Sequence, residues 1–133
     1  MKKLFVYGTL MSGLSNFEKY LRGKIISISK GYTFGKLYHL KSYNCPALVD
    51  GEDKIVGEIL ELGNDVVIDE IDLLEMNFFN TQGPSYLREK RKVFYDSGRI
   101  ELIDVYIYKQ KIDEKTSIYI PSGDWKEFLK NNE

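Results

Sequence analysis

Between residues 24 and 62 the chain alternates apolar and polar positions, draws its apolar residues from Ile, Tyr, Val and Phe, and is punctuated by glycines at 31, 35, 51 and 57. A period of two built from β-branched and aromatic residues describes strands with one buried face. The stretch predicts three or four antiparallel strands. Residues 86–96 and 99–110 flank Ser97-Gly98, the signal of a hairpin with a tight turn. Further strands are expected over residues 3–9 and around 117–120. Helical signals are few and short. Ser15-Asn16-Phe17-Glu18 has capping-box spacing and predicts a helix to about Arg22, with Phe17, Tyr20 and Leu21 on one face and Gly23 as its stop. Asn64 or Asp65 is positioned to cap a helix reaching about Asn77, followed by a loop over residues 78–85 that contains Gly83-Pro84. Trp125, Phe128 and Leu129 give a terminal helix its apolar side. With strands dominant and no strand–helix alternation, the expected class is α+β with a mainly antiparallel, strongly curved or barrel-like sheet. A barrel would also remove exposed edges.

At 133 residues and 43% hydrophobic content, one core is affordable and two are not, so residues 1–133 are read as a single domain. The 19 basic and 20 acidic residues nearly cancel, leaving no global field for nucleic acid or an anionic membrane. Small neutral or zwitterionic ligands fit that balance. The basic run over residues 88–92, near Phe94 and Tyr95, is read as a solvated strand face rather than a nucleic-acid strip. Cys45 is the sole cysteine and cannot close an intrachain disulfide, which suits a reducing compartment; a cytoplasmic location is the expectation. Met1-Lys2-Lys3 imitates a signal start, yet only Leu4-Phe5-Val6 follow before polar residues intervene, and no run approaches the roughly 18 apolar residues of a membrane helix. A soluble protein is expected. His39 has no Cys or His partner at ligand spacing, and Cys45 has no accompanying nucleophile pattern, so neither marks a metal or thiol site.

Two features carry chemistry. At the end of the first apolar run, Tyr7-Gly8-Thr9-Leu10 places a glycine turn where a strand leaves the sheet. Glycine permits close approach or positive φ, and the threonine hydroxyl with consecutive amides can hold a small anion such as a carboxylate. The second is Glu75. At about 100° per residue it lies roughly 20° from Ile68 and 40° from Ile71, inside the apolar stripe that Val67 and Leu74 extend. By the same geometry Asp72 sits at the edge of that stripe, while Asp69 and Glu70 face solvent. A carboxylate on an apolar face in the last turn of a helix meets desolvation and an unfavourable dipole together, which suits it to general acid–base work near neutral pH. The other reading is a Glu75 that ends the helix early and turns into solvent, or pairs with an arginine such as Arg88.

The chain resembles the gamma-glutamylcyclotransferase-like family, including the AIG2-like gamma-glutamylamine cyclotransferases. The resemblance is carried by Tyr7-Gly8-Thr9-Leu10 followed by Gly13 and Asn16, then Cys45-Pro46-Ala47-Leu48, Val56-Gly57-Glu58-Ile59, Ile71-Asp72-Leu73-Leu74-Glu75, Tyr86-Leu87-Arg88, Val105-Tyr106-Ile107-Tyr108 and Ser122-Gly123-Asp124-Trp125. It departs at Glu75-Met76-Asn77, where many members have Glu-Gly-Tyr, and at Asn44-Cys45, where an aromatic precedes Pro-Ala. The resemblance implies a barrel of about six strands with flanking helices and a cavity at one mouth. It also implies a γ-glutamyl substrate held by the backbone of residues 7–10, cyclisation to 5-oxoproline with release of an amine, and Glu75 as the acid–base group. No metal or cofactor is implied, and a monomer or homodimer is expected. Tyr86 and Arg88, two apart on a strand, should point the same way, Tyr86 lining the cavity and Arg88 steadying the loop or the acid. The rival reading is a non-catalytic small-molecule-binding or interaction module on the same fold. An acid that is costly to desolvate gives such a module nothing, so Glu75 beside the loop favours an enzyme.

Overall fold

In the computed structural model, residues 2–75 and 86–131 are described, with the side chains of Asp65, Leu73, Leu74 and Glu75 outside that description. The strands are β1 (Lys3–Val6), β2 (Ile25–Leu40), β3 (Cys45–Leu62), β4 (Tyr86–Tyr95), β5 (Ile100–Tyr108) and β6 (Ser117–Ile120). Two α-helices, α1 (Asp65–Glu75) and α2 (Trp125–Asn131), and a π-helical turn at Phe17–Leu21 complete the chain. The sheet order β3-β1-β5-β4-β2 closes back from β2 onto β3, so five strands form a barrel and β6 adds to β2 outside the ring. Its pairings are antiparallel except β1 with β5, which run parallel through Leu4↔Asp104 and Phe5↔Val105. Leu4, Phe5, Leu60, Ile55, Val93 and Val105 form the centre of the core, and Ile68 and Ile71 of α1 pack onto it.

Residues 24–62 form two long strands rather than three or four. The glycines within them are not turns. Gly31 and Gly57 lie opposite each other in the β2–β3 register, and a Cβ on Gly57 would stand 2.2 Å from the Val6 carbonyl oxygen and 2.6 Å from the Phe5 ring. Glycine there lets β1 cross close to β3, which barrel closure demands. The register shifts between Gly35 and Lys36, bending the pair without ending it. The reversal itself falls at residues 41–44, where Asn44 adopts φ 50°.

The capping box at Ser15 does not form either. The Asn16 amide Nδ2 donates to Thr9 Oγ1 at 2.8 Å, and the N–H groups of Asn16 and Phe17 both donate to the Thr9 carbonyl at 3.1 Å, so the preceding loop satisfies the helical turn. Glu18 pairs with Arg22 instead. Phe17 and Leu21 are buried as the periodicity requires, and Gly23 at φ 81° ends the turn. Elsewhere the local signals match. Asn64 Oδ1 accepts the Val66 N–H at 2.9 Å and starts α1, and Gly98 at φ 97° makes the β4–β5 turn. The expected helix end at 76–77 and the expected loop at 78–85 lie outside the described residues.

Candidate active site

The turn after β1 is built by close packing. Tyr7 is buried and its hydroxyl donates to the Tyr106 carbonyl at 2.6 Å. Gly8 is needed for proximity rather than for positive φ, since a Cβ there would lie 2.3 Å from Pro46 Cγ. Met11 N–H donates to the Gly8 carbonyl at 2.9 Å and closes the turn. Thr9 gives both its carbonyl and its hydroxyl oxygen to residues 16 and 17. Among the described residues, the N–H groups of Gly8, Thr9 and Leu10 have no hydrogen-bond partner. Leu10 is itself 6% exposed, so the turn combines unclaimed donors with apolar burial. Such donors in a partly desolvated turn suit an anion.

On α1, Val67, Ile68 and Ile71 are buried while Asp69 and Glu70 face solvent, as the helical angles require. Glu75 is the last helical residue. Asp72, one turn before it, is 14% exposed and accepts from Arg88 Nη2 at 3.0 Å and from the Tyr106 hydroxyl at 2.6 Å. Arg88 also reaches Asp104 through Nη1 at 3.3 Å, and Lys90 meets the other oxygen of Asp104 at 3.2 Å. Arg88 thus ties β4 to the helix that carries Glu75, through Asp72. The remaining cations of the 88–92 run include Arg91, which pairs with Glu89 at 2.7 Å and Asp50 at 2.9 Å.

Tyr86 is buried, and its hydroxyl donates to the Pro46 carbonyl at 2.5 Å with Cys45 Sγ at 3.4 Å. Its ring tilts against Tyr108, whose hydroxyl is pushed above its ordinary pKa mainly by burial and so stays protonated. Tyr86 therefore bears on the turn indirectly, because the Pro46 it holds is the residue packed on Gly8. His39 is occupied structurally, with Nε2 2.9 Å from Asn44 Oδ1 and its ring against Trp125 and Phe128.

In the sequence Tyr106 stood within the Val105-Tyr106-Ile107-Tyr108 segment with no role of its own. In the fold its carbonyl accepts from Tyr7 while its hydroxyl donates to Asp72. One residue of β5 thereby joins the start of the turn after β1 to the last full turn of α1. Its signal was register: Tyr106 pairs with Arg88 across β4–β5, and both reach Asp72.

A sequence profile described as gamma-glutamyl cyclotransferase, AIG2-like matches residues 4–127. A Methanocaldococcus jannaschii protein carrying the name "Putative gamma-glutamylcyclotransferase MJ1514" is 34% identical over 131 residues, covering 96% of this chain and 98% of its own length. Among solved structures, an AIG2-like protein of Mus musculus superposes with a TM-score of 0.70 at 23% identity over 93% of this chain and 88% of that one. An uncharacterized protein of Pyrococcus horikoshii, PH0828, gives 0.68 at 20% identity over 99% and 96%. At those identities the two structures speak for the fold.

Proposed function

The chain belongs to the gamma-glutamyl cyclotransferase, AIG2-like family, and from that premise we propose that it cyclises a γ-glutamyl amine or γ-glutamyl amino acid to 5-oxoproline with Glu75 as general acid and base. The α-amino nitrogen attacks the γ-carbonyl carbon of the same molecule, the bond from that carbon to the departing nitrogen breaks, and the amine leaves with one proton. Because both reacting groups sit in one substrate, the protein has to fold the substrate and move protons. The N–H groups of Gly8, Thr9 and Leu10 hold the α-carboxylate or the oxyanion that develops on the γ-carbonyl. Glu75 takes a proton from the α-ammonium and returns one to the departing nitrogen. The ring of Tyr86 supports this site through Pro46. The reaction as written uses no cofactor.

The observation that supports this reading most is the bridge through Tyr106, which couples the turn with unclaimed donors to the helix ending in Glu75. Glu75→Gln tests it. The variant should fold, with an unchanged circular dichroism spectrum, and lose at least about a hundredfold in 5-oxoproline and amine release, the scale of general acid–base assistance. Retained activity would sink the assignment.

A further inference from the structure

The anion-binding turn is held at its far end by a carboxylate. Glu58 of β3 stands opposite Val6 in the β1–β3 register, and it accepts Ser12 N–H on Oε1 and Ser12 Oγ–H on Oε2, each at 2.7 Å. Its side chain is 12% exposed, and Lys126 Nζ of α2 lies 3.5 Å from Oε2. A negative charge so close to a turn built for a carboxylate works against the ligand unless something offsets it. Here two short charge-assisted donors and one ammonium do so. What remains is geometry. Met11 N–H closes the turn onto Gly8 on one side, and the Ser12 fork fixes the segment on the other, leaving the peptides of Thr9 and Leu10 little freedom to rotate.

We propose that Glu58 is a positioning residue which, through Ser12, sets the orientation of the Thr9 and Leu10 amides and hence the affinity for the substrate's α-carboxylate, without touching substrate. This rests on the reading of the turn as the carboxylate site. Preorganised donors bind an anion more tightly because their ordering is already complete before the ligand arrives. An interaction that acts equally on bound substrate and transition state appears in KM and leaves kcat alone. Lys126 contributes by offsetting charge, so its removal should weaken binding less than removal of Glu58.

The test uses the 133-residue chain with Glu58→Ala, Glu58→Gln, Ser12→Ala and the Ser12→Ala/Glu58→Ala double variant, with two independent readouts. Kinetics on a γ-glutamyl amine report KM and kcat, and titration with 5-oxoproline followed by backbone amide NMR reports binding and the Thr9 and Leu10 resonances. Glu58→Ala should raise KM and the 5-oxoproline Kd roughly tenfold, the loss expected of a charge-assisted hydrogen bond, with kcat within about twofold. Glu58→Gln keeps one acceptor oxygen and should fall between, and the double variant should be no worse than Glu58→Ala. An unchanged KM in Glu58→Ala, or a fall in kcat with KM unchanged, overturns the proposal, as do unmoved Thr9 and Leu10 resonances in an enzyme that turns over normally. If the wild-type chain turns over no γ-glutamyl compound yet binds 5-oxoproline with the same order among the variants, the cyclotransferase reading fails and the positioning role stands. If Glu58→Ala does not fold, Glu58→Gln alone decides through its KM.

Discussion

Two charged clusters sit on the β4–β5 hairpin and differ in what they tie together. Near one end, Arg88 bridges Asp72 and Asp104, with Lys90 also on Asp104. Near the other, Glu101 gathers Lys3 at 3.0 Å, the Tyr95 hydroxyl at 2.7 Å and Arg99 at 3.4 Å. The chemistry is alike and the burial is not: Asp72 and Asp104 are 14% and 9% exposed, Glu101 30%. The Glu101 cluster reinforces strands that backbone pairing already holds together. The Arg88 cluster fixes the rotation and height of a helix, which non-directional apolar packing specifies less sharply. The same kind of ion pair therefore ties strand to strand at one end of the hairpin and helix to sheet at the other.

That contrast can be broken at graded depth. Arg88→Met should have the largest effect, leaving Asp72 without its cation and Asp104 with Lys90 alone, at about 3 kcal/mol in urea unfolding, and lowering 5-oxoproline release more than tenfold as the end of α1 loses its hold. An Arg88→Met chain with normal stability and turnover would erase the distinction. Tyr106→Phe removes one hydrogen bond to the Asp72 carboxylate and should cost about 1.5–2 kcal/mol. Because the Tyr7 hydroxyl still finds the residue 106 carbonyl, kcat should fall while KM for the γ-glutamyl substrate stays near its wild-type value. A change confined to KM would assign Tyr106 to the turn alone.

Glu101→Gln should lower stability by less than about 1 kcal/mol, as exposed pairs do, and leave turnover untouched. The same cluster carries the acid dependence. The Tyr95 hydroxyl first, and then the Lys3 ammonium, hold the Glu101 carboxyl below its ordinary value of 4.5. A carboxyl depressed in the folded state stabilises the fold above the unfolded pKa, and that contribution fades as pH falls through the folded one. The stability difference between wild type and Glu101→Gln should thus be constant above pH 4.5 and shrink below it. A difference that grows on acidification would reverse the assigned direction.

How far the sequence reached is clearest residue by residue. The β4–β5 hairpin was legible because Ser97-Gly98 is a local turn signal between two alternating runs. Helix α1 was legible because Asn64 caps it and Ile68 and Ile71 recur at helical spacing. The glycines at 31, 35, 51 and 57 misled because glycine signals either a turn or a close approach, and only the neighbouring strand tells which. Ser15 and Glu18 had cap spacing, but Thr9 supplied the cap from outside the local window. For Arg88, the sequence reading left its partner open, and Asp72 and Asp104 became its partners only when α1 met the hairpin.

By itself, the sequence determined the strand-rich α+β class, the hairpin, the apolar stripe of Val67, Ile68 and Ile71, and a glycine turn after the first strand. Each of these depends on residues a few positions apart, where backbone geometry alone sets which side chains share a face. The tertiary structure decided the closure of five strands, the parallel β1–β5 pair, the Pro46 packing that demands Gly8, and the Tyr106 bridge. The bonds of that bridge join residues 99 and 34 positions apart. At such separations no local preference acts, and the partners are chosen by how the barrel closes and buries its core.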